Sequence, residues 1–209
     1  MRMAFTAATA LVAVLGLTAC STTPTATTES KTGTESKQEP SGPPQPVLAK
    51  TAFYEMYKPA RSWAVDLLPL SLASNDVAGI KSERGKAAMW TAVFVSPSRH
   101  EARTFSYSIA DQGNSIRKGV TAGGAEAWSG PTSKSKPFQI TEFAIDSDVA
   151  YQAAYEKGQA WVKKHPDKQV TLSLVAVSRF PAPVWYVIWG NTKSGYAAFV
   201  NATTGRTMK

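Results

Sequence analysis

The chain has 209 residues, a formal net charge of +8 at pH 7 and one cysteine. One cysteine excludes an intrachain disulfide, so an exported domain of this composition has to be stable through its core alone. The excess of lysine and arginine is spread over predicted loops and helix faces. It indicates a generally soluble basic surface, with attraction to anionic lipid headgroups or wall polymers as the alternative.

The N-terminus has the layout of a secretory signal peptide. Met1 and Arg2 form a short basic start, and the run MAFTAATALVAVLGLTA that follows is almost entirely apolar or small. A basic start, an apolar centre and a small-residue end are the three parts of such a signal. The run is marginally short for a membrane-spanning helix and is diluted by Gly, Thr and Ala. We therefore expect residues 1–19 to be removed on export.

The single cysteine, Cys20, stands directly after this run. The sequence Leu17-Thr18-Ala19-Cys20 resembles the bacterial lipoprotein box, in which Leu and two small residues precede a cysteine. The resemblance implies that the sulfur receives a diacylglycerol, that palmitate is a typical acyl chain, and that cleavage leaves Cys20 as the first residue. Only a thiolate supplies the nucleophile, and two acyl chains at one residue anchor a protein stably. The alternative is a plain signal peptide followed by an accidental cysteine.

Lipidation predicts an address outside the cytosol. The chain would be held at the cell membrane or the outer membrane, facing the periplasm or the cell exterior, with the membrane as its first partner. Ser21 would permit outer-membrane sorting in a Gram-negative cell. Nucleic acid is a poor partner for such a protein, and we expect none.

A change of composition near residue 46 separates a tether from a domain. Residues 20–46 hold the cysteine and then a run with no large apolar side chain, dominated by Ser, Thr, Pro and Gly. Such a segment cannot bury enough surface to offset its ordering entropy, so it predicts a disordered, flexible tether. From Val47 to Lys209 aromatic residues recur throughout, and a chain of about 160 residues is long enough for one sizeable core or two small fused ones.

The first part of the domain predicts a helix followed by strands. Phe53, Met56, Ala60 and Trp63 recur at helical spacing, while Pro59 inside the pattern predicts a kink or a late start. Alternating apolar runs then predict three strands. They lie at residues 68–74, 86–96 and 102–114, and residues 118–143 predict an extra strand and a crossover.

The second part repeats this order. Asp146-Ser147-Asp148 offers helix caps, Ala150, Ala154 and Gly158 place small residues on one helical face, and Pro166 prevents continuation. Three further strands are predicted at residues 169–178, at 183–190 and from 195, with a turn at 203–205. The sequence therefore predicts an α+β fold of two tandem α-β-β-β repeats, each a helix packed on an antiparallel sheet. The first repeat with its crossover would cover residues 47–145 and the second residues 146–209.

The end of the second repeat resembles the PepSY and PepSY-like domains. Their signature is a Trp-containing strand, a hairpin, and then an aromatic, a Val and an Asp-Ala-x-Thr-Gly turn. Asn201 stands where the family has Asp, which still allows the side-chain turn bond. The resemblance implies an extracytoplasmic, noncatalytic module, and it is closer in residues 146–209 than in residues 49–120. The matching residues are Trp185, Val187, Tyr196, Val200, Ala202, Thr204 and Gly205.

No catalytic or metal-binding motif is recognisable. His100 lies in a predicted polar hairpin and His165 at a helix C-terminus, and neither stands in a zinc-ligand spacing. Asp146 and Asp148 form a carboxylate pair, but helix capping explains both. Residues 119–124 form a weak Gly-rich run that predicts strand and turn rather than a phosphate loop. We expect no metal, no cofactor and no catalytic residue.

The aromatic side chains are the remaining candidates for a contact with a ligand or partner. We assign this role to Trp128, in a Gly/Ser-rich loop, and to Tyr186 and Trp189, on a strand with aromatic residues on both faces. Trp185 is expected in the core because a helix must cover that sheet.

These patterns favour a lipid-anchored binding or regulatory protein that is not an enzyme. Its sheet, or the groove between the repeats, would hold a peptide, a protein partner such as a peptidase, or an envelope component. Two alternatives stay open: an envelope hydrolase with an unrecognised site, and a purely structural tether to membrane or wall.

Overall fold

The computed structural model describes residues 44–113, 116–191 and 194–209, and the predicted signal peptide, Cys20 and most of the predicted tether lie outside them. Residues 42–209 form one compact unit. Its described residues form two helices, eight strands and a short 3₁₀ helix at Ile140–Glu142. The main elements are α1 (Ala49–Trp63), β1 (Leu68–Asn75), β2 (Met89–Ser96), β3 (Glu101–Ser108), β4 (Gly119–Ala127), α2 (Ser147–Lys164), β5 (Val170–Val175), β6 (Val184–Trp189), β7 (Tyr196–Asn201) and β8 (Thr207–Met208).

The eight strands form a single antiparallel sheet in the order β4-β3-β2-β1-β5-β6-β7-β8. The strands that follow α1 and the strands that follow α2 join through β1 and β5. This joint consists of three residue pairs, Ser71 with Val175, Leu72 with Leu174, and Ala73 with Ser173. The predicted α+β class with antiparallel sheet is confirmed, and the sheet is continuous rather than divided in two.

Both helices pack on the same face of the sheet, and the core lies between them and the strands. Period-two alternation sends every second side chain of each strand to this face. The Trp90 and Trp185 rings meet there edge to face, with centroids 6.3 Å apart. The largest fully buried side chains are Trp90, Trp185, Phe53, Phe94, Phe105, Met56, Leu72, Leu172 and Leu174.

The two core tryptophans also fix the segments that lead into the helices. Trp90 Nε1 donates a hydrogen bond to the Val47 carbonyl at 3.0 Å, and Trp185 Nε1 donates to the Ile145 carbonyl at 3.0 Å. Each carbonyl lies two residues before the first residue of a helix. Burial of an indole requires a partner for its N–H, so the same bond satisfies the ring and positions the helix entry.

One Asp-Ser pair caps both helix N-termini. The Asp146 carboxylate accepts the Ser147 N–H at 2.7 Å and the Lys50 N–H at 3.0 Å, while the buried Ser147 hydroxyl accepts the Ala49 N–H at 2.9 Å. The first N–H groups of a helix have no intrahelical partner, and oxygen side chains are their usual caps. The predicted capping by Asp146 is confirmed, and it extends to α1, whose own N-cap residue Leu48 supplies no side-chain bond.

The helices otherwise follow their sequence patterns with one exception. Ala150, Ala154 and Gly158 are buried, and Gly158 lies so close to the Tyr196 ring that a Cβ there would overlap it. The expectation of a late start for α1 is wrong, because the helix begins at Ala49 and continues through Pro59 to Trp63. In the described residues, no helix has the length and apolar character needed to cross a membrane.

The strand predictions differ from the structure mainly at strand ends. The third predicted strand stops at Ser108 instead of continuing to residue 114, because the Ser108 hydroxyl bonds the Ala110 carbonyl at 2.6 Å and turns the chain. The extra strand predicted within residues 118–143 is β4. The two-residue β8 was not predicted from the sequence.

Candidate ligand-binding cleft

The three aromatic residues singled out from the sequence do not converge. Trp189 is only 2% exposed and lies on the helix-covered face, at the edge of the cleft described below. Tyr186 is half-buried on the opposite face, edge to face with Phe199 at 4.8 Å between centroids. Trp128 is half-buried directly after β4, and its backbone N–H donates to the His100 carbonyl at 2.8 Å. Trp185 is fully buried, as expected.

A cleft of about 730 Å³ lies beside the buried Trp189. The loop between β1 and β2 forms one wall, and α2 with the segment leading into β5 forms the other. The cleft is therefore shared between the two parts of the sequence that carry the similar element order. Its lining residues are 76–84, Tyr151, Val162, 166–170 and Trp189.

The tip of the β1–β2 loop is a tight turn that is pinned to α2. Glu83 and Lys86 exchange two backbone hydrogen bonds, at 3.0 and 2.8 Å, around Arg84 (φ 48°) and Gly85 (φ 83°). Two consecutive positive φ values identify a type I′ turn. A Cβ on Gly85 would overlap the backbone of Ser147, so only glycine allows the loop to lie this close to the start of α2.

Arg84 occupies a left-handed conformation that a non-glycine residue rarely adopts. Its side chain lines the cleft and also a second, shallower depression of about 500 Å³ on the outer side of α2. The depression is otherwise lined by Asp148, Val149, Tyr151, Gln152, Ala153 and Glu156. Arg84 and Tyr151 are thus common to both concave surfaces.

Tyr151 and Trp189 supply the aromatic part of the cleft, with ring centroids 5.6 Å apart. Burial raises the pKa of the Tyr151 phenol, with a smaller contribution from Tyr155. The phenol is therefore held in its neutral form, in which it can both donate and accept a hydrogen bond.

The polar lining carries both signs of charge. Lys81, Arg84 and Lys168 contribute cations, and three carboxylates, Asp76, Glu83 and Asp167, contribute anions. None of these six side chains forms an ion pair with another within the described ranges. The Ser82 hydroxyl oxygen is buried and makes no hydrogen bond to a described residue. A buried hydroxyl without a partner costs free energy, and a bound ligand could supply the missing partner.

The two histidines lie in a turn and at a helix end, and Asp146 of the carboxylate pair is the helix cap described above. His100 lies in the β2–β3 turn with φ 54°. His165 caps the C-terminus of α2, where its Nδ1 lies 2.9 Å from the Trp161 carbonyl and its ring stacks on Trp161 at 4.1 Å. Residues 119–124 lie entirely within β4, so the strand part of that prediction is confirmed and the turn part is wrong. Across residues 44–113, 116–191 and 194–209, no group of three His, Cys, Asp or Glu side chains is arranged to hold a metal ion.

Sequence reasoning placed the groove between the repeats among the candidate sites but did not identify its residues. The signal that points to the loop is the Arg84-Gly85 dipeptide, since glycine at the second central position favours a type I′ turn. The closeness of this turn to α2 depends on tertiary packing, for which the local sequence carries no pattern.

Comparisons with known proteins give one structural neighbour. No protein-family profile matches the chain, and no curated protein is similar to it in sequence. Among solved structures, a candidate lipoprotein from Clostridium difficile 630 superposes with a TM-score of 0.44 and 10% sequence identity. The match covers 76% of this chain and 90% of that one.

Proposed function

We propose that the chain is a lipid-anchored, extracytoplasmic binding protein that holds a small polar ligand in the cleft between the β1–β2 loop and α2, without chemical turnover. The observation that carries the binding part is the cleft itself, with its aromatic wall, its charges of both signs and the unpartnered Ser82 hydroxyl. The anchoring part rests on the N-terminal sequence and its single cysteine. Concave sites that combine an aromatic wall with a few convergent polar groups are typical of ligand binding.

The domain is proposed to consist of two diverged PepSY-like copies. Each half runs helix, then four antiparallel strands, and the two innermost strands are β1 and β5. The equivalent indole bonds of Trp90 and Trp185, each to a carbonyl two residues before a helix, support this pairing. Ala60 and Trp63 also stand at the same spacings from Val47 as Gly158 and Trp161 do from Ile145.

The lining favours a dipolar ligand, and we propose a short peptide or a peptide-bearing wall fragment. A ligand with one charge sign would leave half of the rim facing a like charge, at a cost set by Coulomb repulsion. A zwitterionic peptide can meet both signs, place an apolar group against Tyr151 and accept a hydrogen bond from Ser82. The site lies on the second-half helix and the first-half loop, so it needs both halves.

The anchor is tested by the mass of the mature protein isolated from membranes. A diacylglyceryl-modified N-terminal Cys20 is expected. The Cys20→Ser variant should carry no acyl chains and should leave the membrane fraction. An unmodified cysteine in a chain cleaved elsewhere would contradict lipidation.

The cleft is tested by titration calorimetry on the chain from residue 21 onward, with trialanine as zwitterionic probe and fully N-acetylated chitotriose as neutral probe. Arg84→Asn removes the guanidinium while keeping a residue that tolerates the left-handed turn, so the fold is preserved. We expect Arg84→Asn and Ser82→Ala to weaken trialanine binding by about tenfold, a value of about 1.4 kcal/mol.

Lys163→Ala, on the exposed face of α2 away from the lining, is the matched control and is expected to bind normally. Equal affinity of all three variants would contradict the assignment of the cleft. Hydrolysis of wall fragments by the purified wild-type chain, with loss of turnover in Tyr151→Phe, would instead support an envelope hydrolase.

A further inference from the structure

We propose that β4 pairs edge to edge with β4 of a second copy of the chain, so that two domains share one continuous sheet. The two ends of the sheet differ sharply: β8 has two residues, whereas β4 has nine and is the outermost strand on its side. Its outer edge presents backbone donors and acceptors that have no strand beside them, which is the template for strand addition.

Neither helix shields β4. α1 packs on β1, β2 and β3, and residues 120–127 of β4 are exposed along their whole length. The register with β3 places Val120, Ala122, Ala125 and Ala127 opposite Tyr107, Phe105, Arg103 and Glu101. Val120 and Ala122 therefore lie on the same face as the buried Phe105. An apolar strip that the core face would normally cover is left open.

The strand carries one of the usual guards against pairing, the bulge at Gly123-Gly124, and lacks the others. Edge strands are commonly protected by lysines, prolines or inward-pointing charges. β4 contains no proline, and its one charged residue is Glu126, near its end. An antiparallel self-pairing that overlaps most of the strand keeps the two Glu126 side chains apart, so it opposes no like charges.

The one irregularity in β4 fits a twofold arrangement. The register with β3 shifts between Arg103 and Phe105, which places an extra residue at Gly123-Gly124 in the middle of β4. A twofold axis at this bulge would set residues 119–122 of one copy against residues 125–128 of the other. Both regular parts of the strand would then be paired, and neither would have to cross the bulge.

The same axis gives Trp128 a role. Trp128 of each copy would lie opposite Gly119 of the other, and the space beside Gly119 is open, since a Cβ there would meet no atom within 4 Å. The ring could then cover the end of the new strand pair. A second copy is favoured over an unrelated extended peptide, because it supplies both the matching apolar strip and the ring.

The test is sedimentation velocity on the chain from residue 21 onward, which lacks the lipid and contains every helix and strand described. A reversible dimer is expected with a dissociation constant on the order of micromolar, because one strand pair buries less area than a standard stable interface. Hydrogen exchange of the β4 amides should slow as the dimer forms. A chain that stays monomeric up to about 1 mM, or a dimer whose β4 amides exchange as fast as in the monomer, would overturn the proposal.

Two substitutions separate strand pairing from other association. Ala122→Lys adds a charge on the exposed strip and should weaken the dimer at least about tenfold without lowering the melting temperature. Trp128→Ala should weaken it by a smaller factor. Val149→Lys is the control, because Val149 is 48% exposed on α2, which packs on β6, β7 and β8 at the other side of the sheet, and it should dimerise like wild type. Equal dimerisation of Ala122→Lys and wild type would also overturn the proposal.

Discussion

The two halves of the domain share an element order but pack their helices differently, and this difference creates the two free surfaces. The fully buried residues of α2 are all small, and the helix lies close to β7 at Gly158. It therefore contacts β6, β7 and β8. α1 carries Phe53 and Met56 at its centre and lies over β1, β2 and β3. The α1 half therefore leaves β4 uncovered, while the α2 half is covered to its edge and meets the β1–β2 loop to form the cleft.

A helix's buried side chains set which strands it shields. Large side chains fill the space over the central strands and stop there, whereas a glycine lets the helix and an aromatic ring approach directly. The shared features are the tryptophan bonds at the helix entries, and the features that differ are the surfaces available to partners.

The largest expected effect concerns the feature that the halves share. Trp90→Ala and Trp185→Ala should each lower the free energy of unfolding by about 3–5 kcal/mol, since each removes a large buried ring and leaves a carbonyl without its donor. Urea denaturation followed by circular dichroism measures both. Because the two rings are in contact, the double variant should deviate from the sum of the single effects.

If either alanine variant fails to fold, Trp90→Phe and Trp185→Phe are measured instead, because they keep an aromatic ring and remove only the N–H and part of the indole. Their losses should be similar to each other, at about 1–3 kcal/mol. A large loss in one half with none in the other would contradict the equivalence of the two positions.

The next effect sharpens the difference in helix packing. Gly158→Ala should cost about 1–3 kcal/mol, because the added methyl group overlaps the Tyr196 ring and forces α2 away from the sheet. At the corresponding position of α1, Ala60→Gly should cost about 1 kcal/mol through helix propensity. Gly124→Ala in exposed β4, where the Cβ meets nothing within 4 Å, is the control and should change stability little. A Gly158→Ala variant with the same free energy of unfolding as wild type would contradict close packing of α2 on Tyr196.

A smaller effect tests the shared cap where the halves meet. Asp146→Ala should cost about 1–2 kcal/mol, because one carboxylate accepts N–H groups from both helices. Asp148→Ala removes only a first-turn carboxylate of α2 and should cost about 0.3–1 kcal/mol. Thermal unfolding of the two variants compares them directly. Equal losses would indicate that the bond to Lys50 contributes nothing.

The smallest effect is confined to the first half and to acid. The Ser96 hydroxyl at 2.6 Å, followed by the Ser98 N–H at 2.8 Å, lowers the pKa of Asp66 from 3.8 to about 2. These bonds favour the carboxylate in the folded state, so their stabilisation is complete above pH 3.8 and is lost as the pH falls through about 2. Asp66→Asn should reduce the slope of stability against pH in this window. An unchanged slope would mean that Asp66 does not brace the turn after β2.

Much of the fold could be predicted because its signals are local. The strand predicted at residues 183–190 is β6 at Val184–Trp189, since a run of β-branched and aromatic residues that ends at Gly190 favours a strand. The Asp146 cap and the small-residue face of α2 were equally readable. The pairing of β1 with β5 was not, because no local pattern says which strands become neighbours.

The candidate site was harder to predict for the same reason. The sequence around Trp189 does not indicate whether its face of the sheet is covered or open. The position of α2 decides that the residue is buried. Ser82 and Arg84 become site residues because Gly85 holds their loop against the start of α2. That contact joins residues far apart in the sequence, beyond the reach of periodicity or spacing.

The central claim is that the cleft between the halves binds a dipolar ligand, and chemical-shift mapping by heteronuclear NMR during a trialanine titration tests it most directly. The account predicts saturable shifts concentrated in residues 76–86, around Tyr151 and in residues 166–170, and their loss in Arg84→Asn. Shifts centred on Tyr186 and Phe199 on the opposite face, or no shifts with any zwitterionic or neutral probe, would contradict it.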